Sequence, residues 1–439
     1  MNEAQLYSDH LRTVCARTDA ALAACGFESL AIHSGRAALQ FLDDQPYPFK
    51  VNPHFKAWVP LTDAPDCWIT YRPGARPRLI FVQPQDFWHK PPALPSGDWT
   101  AHFEIEVIEQ PDQAKPLLAG LPRCAFVGEW RAQFETWGFA EPNPQALLEH
   151  LHWPRAAKTP YELACMRQAT AKGVRGHLAA RDAFQAGASE FEIHLAYLRA
   201  SGHTDEELPY PNIVALGANA AVLHYQHREQ AAPAARTSFL IDAGAQHAGY
   251  ACDITRTYAA TSGEFGALIE AMEQVQQALC AQVRSGVDYA RIHLDAHLRI
   301  AQVLSEAGIV SLTPADTVDT GLSQVFFPHG VGHLLGLQVH DVSGFAIAPD
   351  GTRKPPPEGH PWLRLTRTLE PGFVVTIEPG LYFIAPLLEQ ARAKHGRHID
   401  WQCVERLRPY GGIRIEDNVV CTDGEPENLT RAAFAAAAE

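Results

Sequence analysis

The sequence is short of several things, and each shortage excludes something. It has no run of about 18 consecutive apolar residues, so no membrane-spanning helix is expected. Its opening, Met1-Asn2-Glu3-Ala4-Gln5, has neither the basic nor the apolar region of a secretion signal, and a cytoplasmic protein is expected. Positive charge is scarce. The 36 Lys and Arg stand against 50 Asp and Glu, a formal net charge of −14. That argues against a nucleic acid or an anionic membrane as the main partner. The nine cysteines are an odd number, scattered without a paired motif. This suits reduced thiols, not a disulfide framework. There is no internal repeat, and low complexity is confined to the closing Ala-Ala-Phe-Ala-Ala-Ala-Ala.

What is present suits a globular chain of two domains or more. It has 439 residues, 46% apolar and 20% charged, so a large core is available. Leu6, Leu11, Val14, Leu22 and Cys25 recur at helical spacing over residues 5–25. Strand-like runs follow at 29–32, 79–82, 103–108 and 124–127, with a helix from Pro144 to His152, so a mixed α/β domain is expected over residues 1–155. Pro154 to Pro160 reads as a linker. Thr159 as N-cap, Pro160 at the first helical position and Glu162 at the third open a helix running to about Gln185. Gly187 ends it. Ser189 and Glu192 form the capping box of the next helix, which runs to about Ser201. The second domain is expected over 156–439.

The stretch Thr237–Ala259 organises that second domain. An apolar run ends in Asp242, a second run carries Asp253, and Gln246-His247-Ala248-Gly249 between them reads as a turn. A turn centred between His247 and Ala248 sets the two aspartates directly opposite each other, roughly 5 Å apart on one face. Like charges that close need a counter-charge, either Lys/Arg side chains or metal ions. Three more stretches carry chemistry. In Pro328-His329-Gly330-Val331-Gly332-His333 the glycines flank histidines, which implies close backbone approach, and His340 follows. In Phe373–Gly380, alternation puts Thr376 and Glu378 on one face. In Gly411–Asn418, Arg414 and Glu416 share a face. Asp242, Asp253, His333, Glu378 and Glu416 together offer oxygen ligands and one nitrogen. Such a set suits a pair of hard or borderline divalent ions, which can hold a nucleophilic hydroxide between them. No thiolate belongs to it, which argues against a structural zinc site.

In order and context, the motifs I-D-A-G, D-I-T-R-T, P-H-G-V-G-H, T-I-E-P-G and G-I-R-I-E-D-N resemble those of the pita-bread metallopeptidases, which include methionine aminopeptidase, aminopeptidase P and prolidase. The resemblance covers about 158 to the C-terminus. Leu208–Leu216, Val222–Tyr225, Asp86–Lys90 and Leu363–Arg367 are most similar to bacterial prolidases, the Xaa-Pro dipeptidases, including those called organophosphorus acid anhydrolases. The resemblance implies an N-terminal mixed α/β domain followed by a pita-bread α+β domain related to creatinase. It implies two divalent ions, manganese by family habit, with cobalt or zinc as substitutes. Asp242 chelates one ion, Asp253 and Glu416 bridge the two, and His333 and Glu378 bind the other. Glu378 also acts as general base and then acid. His224 and His340 stabilise the tetrahedral intermediate, and Arg414 fixes a carboxylate ligand. Arg364 pairs with the carboxylate of a dipeptide, and His329 and Tyr210 line the pocket. In a homodimer, Trp88 of one chain closes the other's pocket. The implied reaction is cleavage of Xaa-Pro dipeptides by the bridging hydroxide, with a side activity on organophosphate triesters; the alternative is aminopeptidase P, acting on longer peptides. A binding module that had lost its ligands, or a metal-free enzyme like creatinase, fits less well, since no ligand is missing.

Overall fold

The computed structural model describes residues 2–439. The chain divides into two compact units. The first comprises residues 1–165 with Ala248–Tyr250 and Ala348–Thr352; the second comprises 166–247, 251–347 and 353–439.

The first unit is built on one mixed sheet. Its strands are β1 (Ser29–His33), β2 (Trp68–Tyr71), β3 (Arg78–Val82), β4 (Glu104–Ile108), β5 (Cys124–Val127) and β6 (Glu141–Pro142), in the order β4-β3-β2-β1-β5-β6. β1 is antiparallel to β2 and parallel to β5, with both faces buried, as its unbroken Ser-Leu-Ala-Ile-His burial requires. Trp68, Phe126, Phe134 and Trp137 pack on it with ring centroids 4.9–5.9 Å apart. β2 escaped the sequence reading because Trp-Ile-Thr-Tyr is too short to show alternation.

The stretch Pro154–Pro160 is packed, not loose. Trp153–Ala156 forms a 3-10 turn, and Ala156, Lys158 and Thr159 are buried. The Lys158 ammonium makes this possible by donating to the Arg155 carbonyl at 2.7 Å. Thr159 and Glu162 then form the expected reciprocal cap, at 2.8 and 3.4 Å. The helix Pro160–Gln185 and the helix Glu190–Ser201, capped by Ser189, follow as the sequence implies.

In the second unit, Phe184, Ile193 and Tyr197 of these helices form one core cluster with Val214, Phe239 and Ile241. Those last three come from the antiparallel sheet β11-β8-β7, made of β7 (Ile213–Leu216), β8 (Ser238–Asp242) and β11 (Thr255–Ala259). Gln246–His247 (β9) and Tyr250–Ala251 (β10) are the short strands at the hairpin tip. Further strands are β12 (Val374–Ile377), β13 (Gly380–Tyr382), β14 (Gly412–Arg414), β15 (Asp417–Val420) and β16 (Glu427–Asn428). They pair as β12-β15-β16 and β13-β14, all antiparallel.

Candidate metal centre and active site

Three backbone alignments bring the acids together. The first is the hairpin, and its register differs from the expected one. Its turn residues are Ala248 and Gly249, at φ 50° and 86°, the positive pair that a tight two-residue hairpin turn demands. The turn therefore lies one residue later than expected. Asp242 pairs with Thr255. With Ala243 N–H bonded to Ile254 O and Cys252 N–H to Ala245 O, Gly244 faces Asp253. The aspartates are diagonal neighbours on one face instead of direct partners. A side chain at Gly244 would collide with the Cys252 carbonyl at 2.3 Å, so only glycine lets the strands close there.

In the second alignment, residues 331–335 lie antiparallel along β12. Thr376 N–H donates to His333 O at 2.9 Å, Glu378 N–H to Val331 O at 2.8 Å, and Leu335 N–H to Val374 O at 3.0 Å. His333 and Glu378 are thereby set side by side. Gly332, at φ 151°, has the Thr376 carbonyl 2.1 Å from where a Cβ would be. This is the close approach that the flanking glycines implied. In the third, Glu416 bridges to Thr255, with its N–H bonded to Thr255 O at 3.0 Å.

The result is a buried acidic centre. Asp253, His333 and Glu416 each place one ligand atom within 4.8 Å of the others, and all three are buried. His333 Nδ1–H donates to Leu334 O at 2.9 Å, which turns Nε2 towards the acids. Nε2 lies 3.5 Å from Asp253 Oδ2 and 3.7 Å from Glu378 Oε1, and these carboxylates raise its affinity for a positive charge against the pull of burial. Tyr210 Oη is 2.8 Å from Asp242 Oδ1 and 2.5 Å from Asp253 Oδ1, so one phenolic proton serves two carboxylates. Burial pushes Glu378 up to about 7 and Glu416 well above the usual carboxylate range. It also raises Asp242, against the pull of Arg414. Electron pairs thus converge from every side, as in a site shaped for cations.

Arg414 is the counter-charge on one flank. It donates to Asp242 Oδ2 at 2.7 Å, to Tyr382 Oη at 2.9 Å and to Thr255 Oγ1 at 3.3 Å. Thr255 passes its own proton to Glu416 Oε2 at 2.7 Å. His329 Nδ1–H donates to Gly330 O at 2.8 Å, so its Nε2 accepts from Tyr382 Oη at 2.8 Å. The chain Arg414–Tyr382–His329 fixes that tautomer, and burial holds the ring neutral, down to about 3. The His340 ring stands edge-on to His333, centroids 4.5 Å apart. His224 and Arg364 are exposed. Both act electrostatically on His340, and Arg364 has no hydrogen bond or ion pair among the described residues. Trp88, in the first unit, is 77% exposed beside Phe87 at 87%. Thr255, Tyr382 and Asn418 were not among the expected site residues. Thr255 was within reach, because it shares strand parity with Asp253. Asn418 takes the Asp253 N–H on Oδ1 at 3.0 Å. Tyr382 carries no local signal, since its role depends on β13 pairing with β14.

The description "Metallopeptidase family M24" matches residues 164–423, and "Xaa-Pro dipeptidase, N-terminal domain" matches residues 5–153. The chain belongs to metallopeptidase family M24. Within that family it is 55% identical over 435 residues to an Xaa-Pro dipeptidase of Stenotrophomonas maltophilia, covering 98% of both chains. It is likewise 55% identical over 436 residues to one of Xanthomonas axonopodis pv. citri, again with 98% of both covered. Among solved structures it is similar to Pseudomonas aeruginosa aminopeptidase PepP, with TM-score 0.73 and 23% identity over 100% of this chain and 99% of that one. It is also similar to aminopeptidase P from E. coli with the inhibitor Pro-Leu, with TM-score 0.72, 21% identity and the same coverage. The fold is thus the pita-bread catalytic domain preceded by a mixed α/β domain. M24 enzymes use divalent metals, and the donors assembled here suit such ions: four carboxylates, an imidazole and no thiolate.

Proposed function

We propose that this M24 enzyme is an Xaa-Pro dipeptidase, with two divalent ions held by Asp242, Asp253, His333, Glu378 and Glu416. One observation carries the reading: His333 Nε2 and three carboxylates converge on one buried space, the donor set that divalent ions take. When bound, the ions polarise the scissile carbonyl and make water acidic enough to attack at neutral pH. The hardness of the donors favours manganese. Glu378 is the proton carrier, its carboxylate lying beside His333 Nε2 at 3.7 Å where the attacking water would be held. Arg414 holds Asp242 in place, and Tyr382 holds His329 in its neutral, Nε2-accepting form. Tyr210 orients Asp242 and Asp253, and His224 and His340 flank the reacting carbonyl.

Arg364 selects the length of the substrate. Its guanidinium is exposed and without a protein partner among the described residues, so its planar fork is open to a carboxylate. A dipeptide offers that carboxylate one residue beyond the scissile bond. A longer peptide offers a neutral amide, at a cost on the order of 2–4 kcal/mol, or roughly thirty- to a thousand-fold in kcat/KM. The deciding assay compares Ala-Pro with Ala-Pro-Ala in added manganese. Strong preference for the dipeptide is expected, and it should be lost in Arg364→Ala with metal content unchanged. Preference for the tripeptide would move the enzyme to the aminopeptidase P reading. A slow hydrolysis of phosphotriesters is proposed on the same chemistry. It is abandoned if several fluorophosphate and nitrophenyl triesters give no metal-dependent rate. Assembly as a homodimer, with the exposed Trp88 meeting the partner's pocket, is proposed too; sedimentation at working concentration tests it. The nine unpaired thiols favour a reducing, cytoplasmic setting.

A further inference from the structure

Away from the acidic centre, three histidines meet. His293 and His297 lie one turn apart on the helix Tyr289–Glu306, both almost fully buried. His360 joins them from the loop that precedes Trp362. Their rings are mutually 4.7 Å apart between centroids. One nitrogen of each lies within 4.8 Å of the other two. They border a cavity of about 370 Å³, whose walls also include Gln324, His329 and Trp362.

We propose that His293, His297 and His360 form a second metal site, distinct from the acidic centre. It takes one imidazole-preferring divalent ion of the zinc, cobalt, nickel and copper group, and the cavity supplies the fourth ligand position. The chemistry of the donors separates the two sites. Carboxylates suit hard ions such as manganese, while three neutral imidazoles suit borderline ones. The rings are ready for this. Burial, helped by their mutual repulsion, keeps His293 and His297 neutral, so neither has to give up an imidazolium proton; the one proton between His293 and His360 has only to move to an outer ring nitrogen. His297 Nδ1 sits 3.0 Å from Ser323 Oγ; as donor to that oxygen it turns its Nε2 lone pair to the cluster, as ligand histidines are turned by a neighbour. His293 Nε2 and His360 Nδ1 are 2.9 Å apart, sharing a single proton where an ion would sit. Tetrahedral ligands at 2.0–2.1 Å lie about 3.3 Å from each other, so the pair need open only by a few tenths of an ångström. His360, on a partly exposed loop, is the ring able to yield.

The test uses the full chain, with the acidic centre first saturated with manganese. Zinc uptake is measured by mass spectrometry after dialysis, and cobalt is titrated while its visible absorption is followed. Wild type is expected to hold one equivalent more than His297→Ala and His360→Gln. It should also show the intense visible band of four-coordinate cobalt, which both variants lack. Manganese-supported turnover in the variants should stay within about twofold of wild type, since none of the three histidines belongs to the acidic centre. If His297→Ala fails to fold, the loop variant His360→Gln carries the comparison. Equal uptake in wild type and variants, or no such band in the wild type, would overturn the proposal and leave a cluster of packed aromatic rings.

Discussion

At the scale of single residues, Tyr382 and Asp417 have separable jobs. Tyr382 Oη accepts from Arg414 and donates to His329, so removing that oxygen frees both without touching any carboxylate of the centre. Tyr382→Phe should lower kcat on Ala-Pro roughly ten- to a hundred-fold while metal content stays that of wild type. Unchanged kcat would show that the relay has no catalytic consequence. Asp417 neighbours Glu416 in sequence, but its side chain serves the framework. It is fully buried and bonded to Arg256 at 2.7 Å, Arg431 at 2.6 Å and Asn428 at 2.9 Å. Burial alone would raise it; the two guanidiniums overcome that and hold it at about 2. Asp417→Ala takes a carboxylate from both guanidiniums, while Arg431 keeps Glu273 and Gln276 and Arg256 keeps two backbone carbonyls, and should cost about 1.5–3 kcal/mol, measured by denaturant unfolding at fixed metal concentration. This division of labour was legible for Glu416, which sits on the same face as Arg414. It was not legible for Asp417, because its partners are set by how the 429–436 helix returns to the sheet.

At the scale of elements, motif and geometry agreed wherever the signal was local. The caps at Thr159 and Ser189 are side-chain-to-backbone bonds spanning three residues, so their sequence is their structure. The alignment of 331–335 on β12 was foreshadowed only by its glycines. Gly332→Ala drives a methyl group into the Thr376 carbonyl and should unseat His333, with loss of at least about 3 kcal/mol or of soluble expression. Gly424→Ala, where nothing lies within 4 Å, should stay within about 0.5 kcal/mol by the same denaturant unfolding. The hairpin turn was misjudged by one residue because Ala248 adopts a left-handed conformation that alanine seldom shows. The faces nevertheless came out right, since Asp253 and Thr255 have the same parity and Thr255 is the true partner of Asp242. The packing of Pro154–Pro160 was hidden for the opposite reason: prolines signal a break in secondary structure, but burial of Lys158 depends on carbonyls that only the folded chain presents.

At the scale of the whole molecule, the acidic centre should make stability depend on metal. Bound ions stabilise only the folded chain, by about 2.7 kcal/mol when their free concentration is a hundred times the dissociation constant. Chelation should therefore lower Tm and abolish turnover, and manganese should restore both. A metal-free preparation that melts and turns over like the loaded one would contradict the dinuclear reading. The centre is also scattered along the chain: Asp242 and Asp253 belong to one hairpin, yet Arg414 and Glu416, which complete their surroundings, are made much later. At about 5–20 residues per second, a ribosome takes on the order of ten seconds or more to cover that interval. Throughout it, the nascent hairpin carries two acids with neither their guanidinium nor their full set of co-ligands. On the dinuclear reading, metal acquisition is a late event in the life of each molecule, and a cell short of the divalent ion would accumulate chains that are fully synthesised but unfinished.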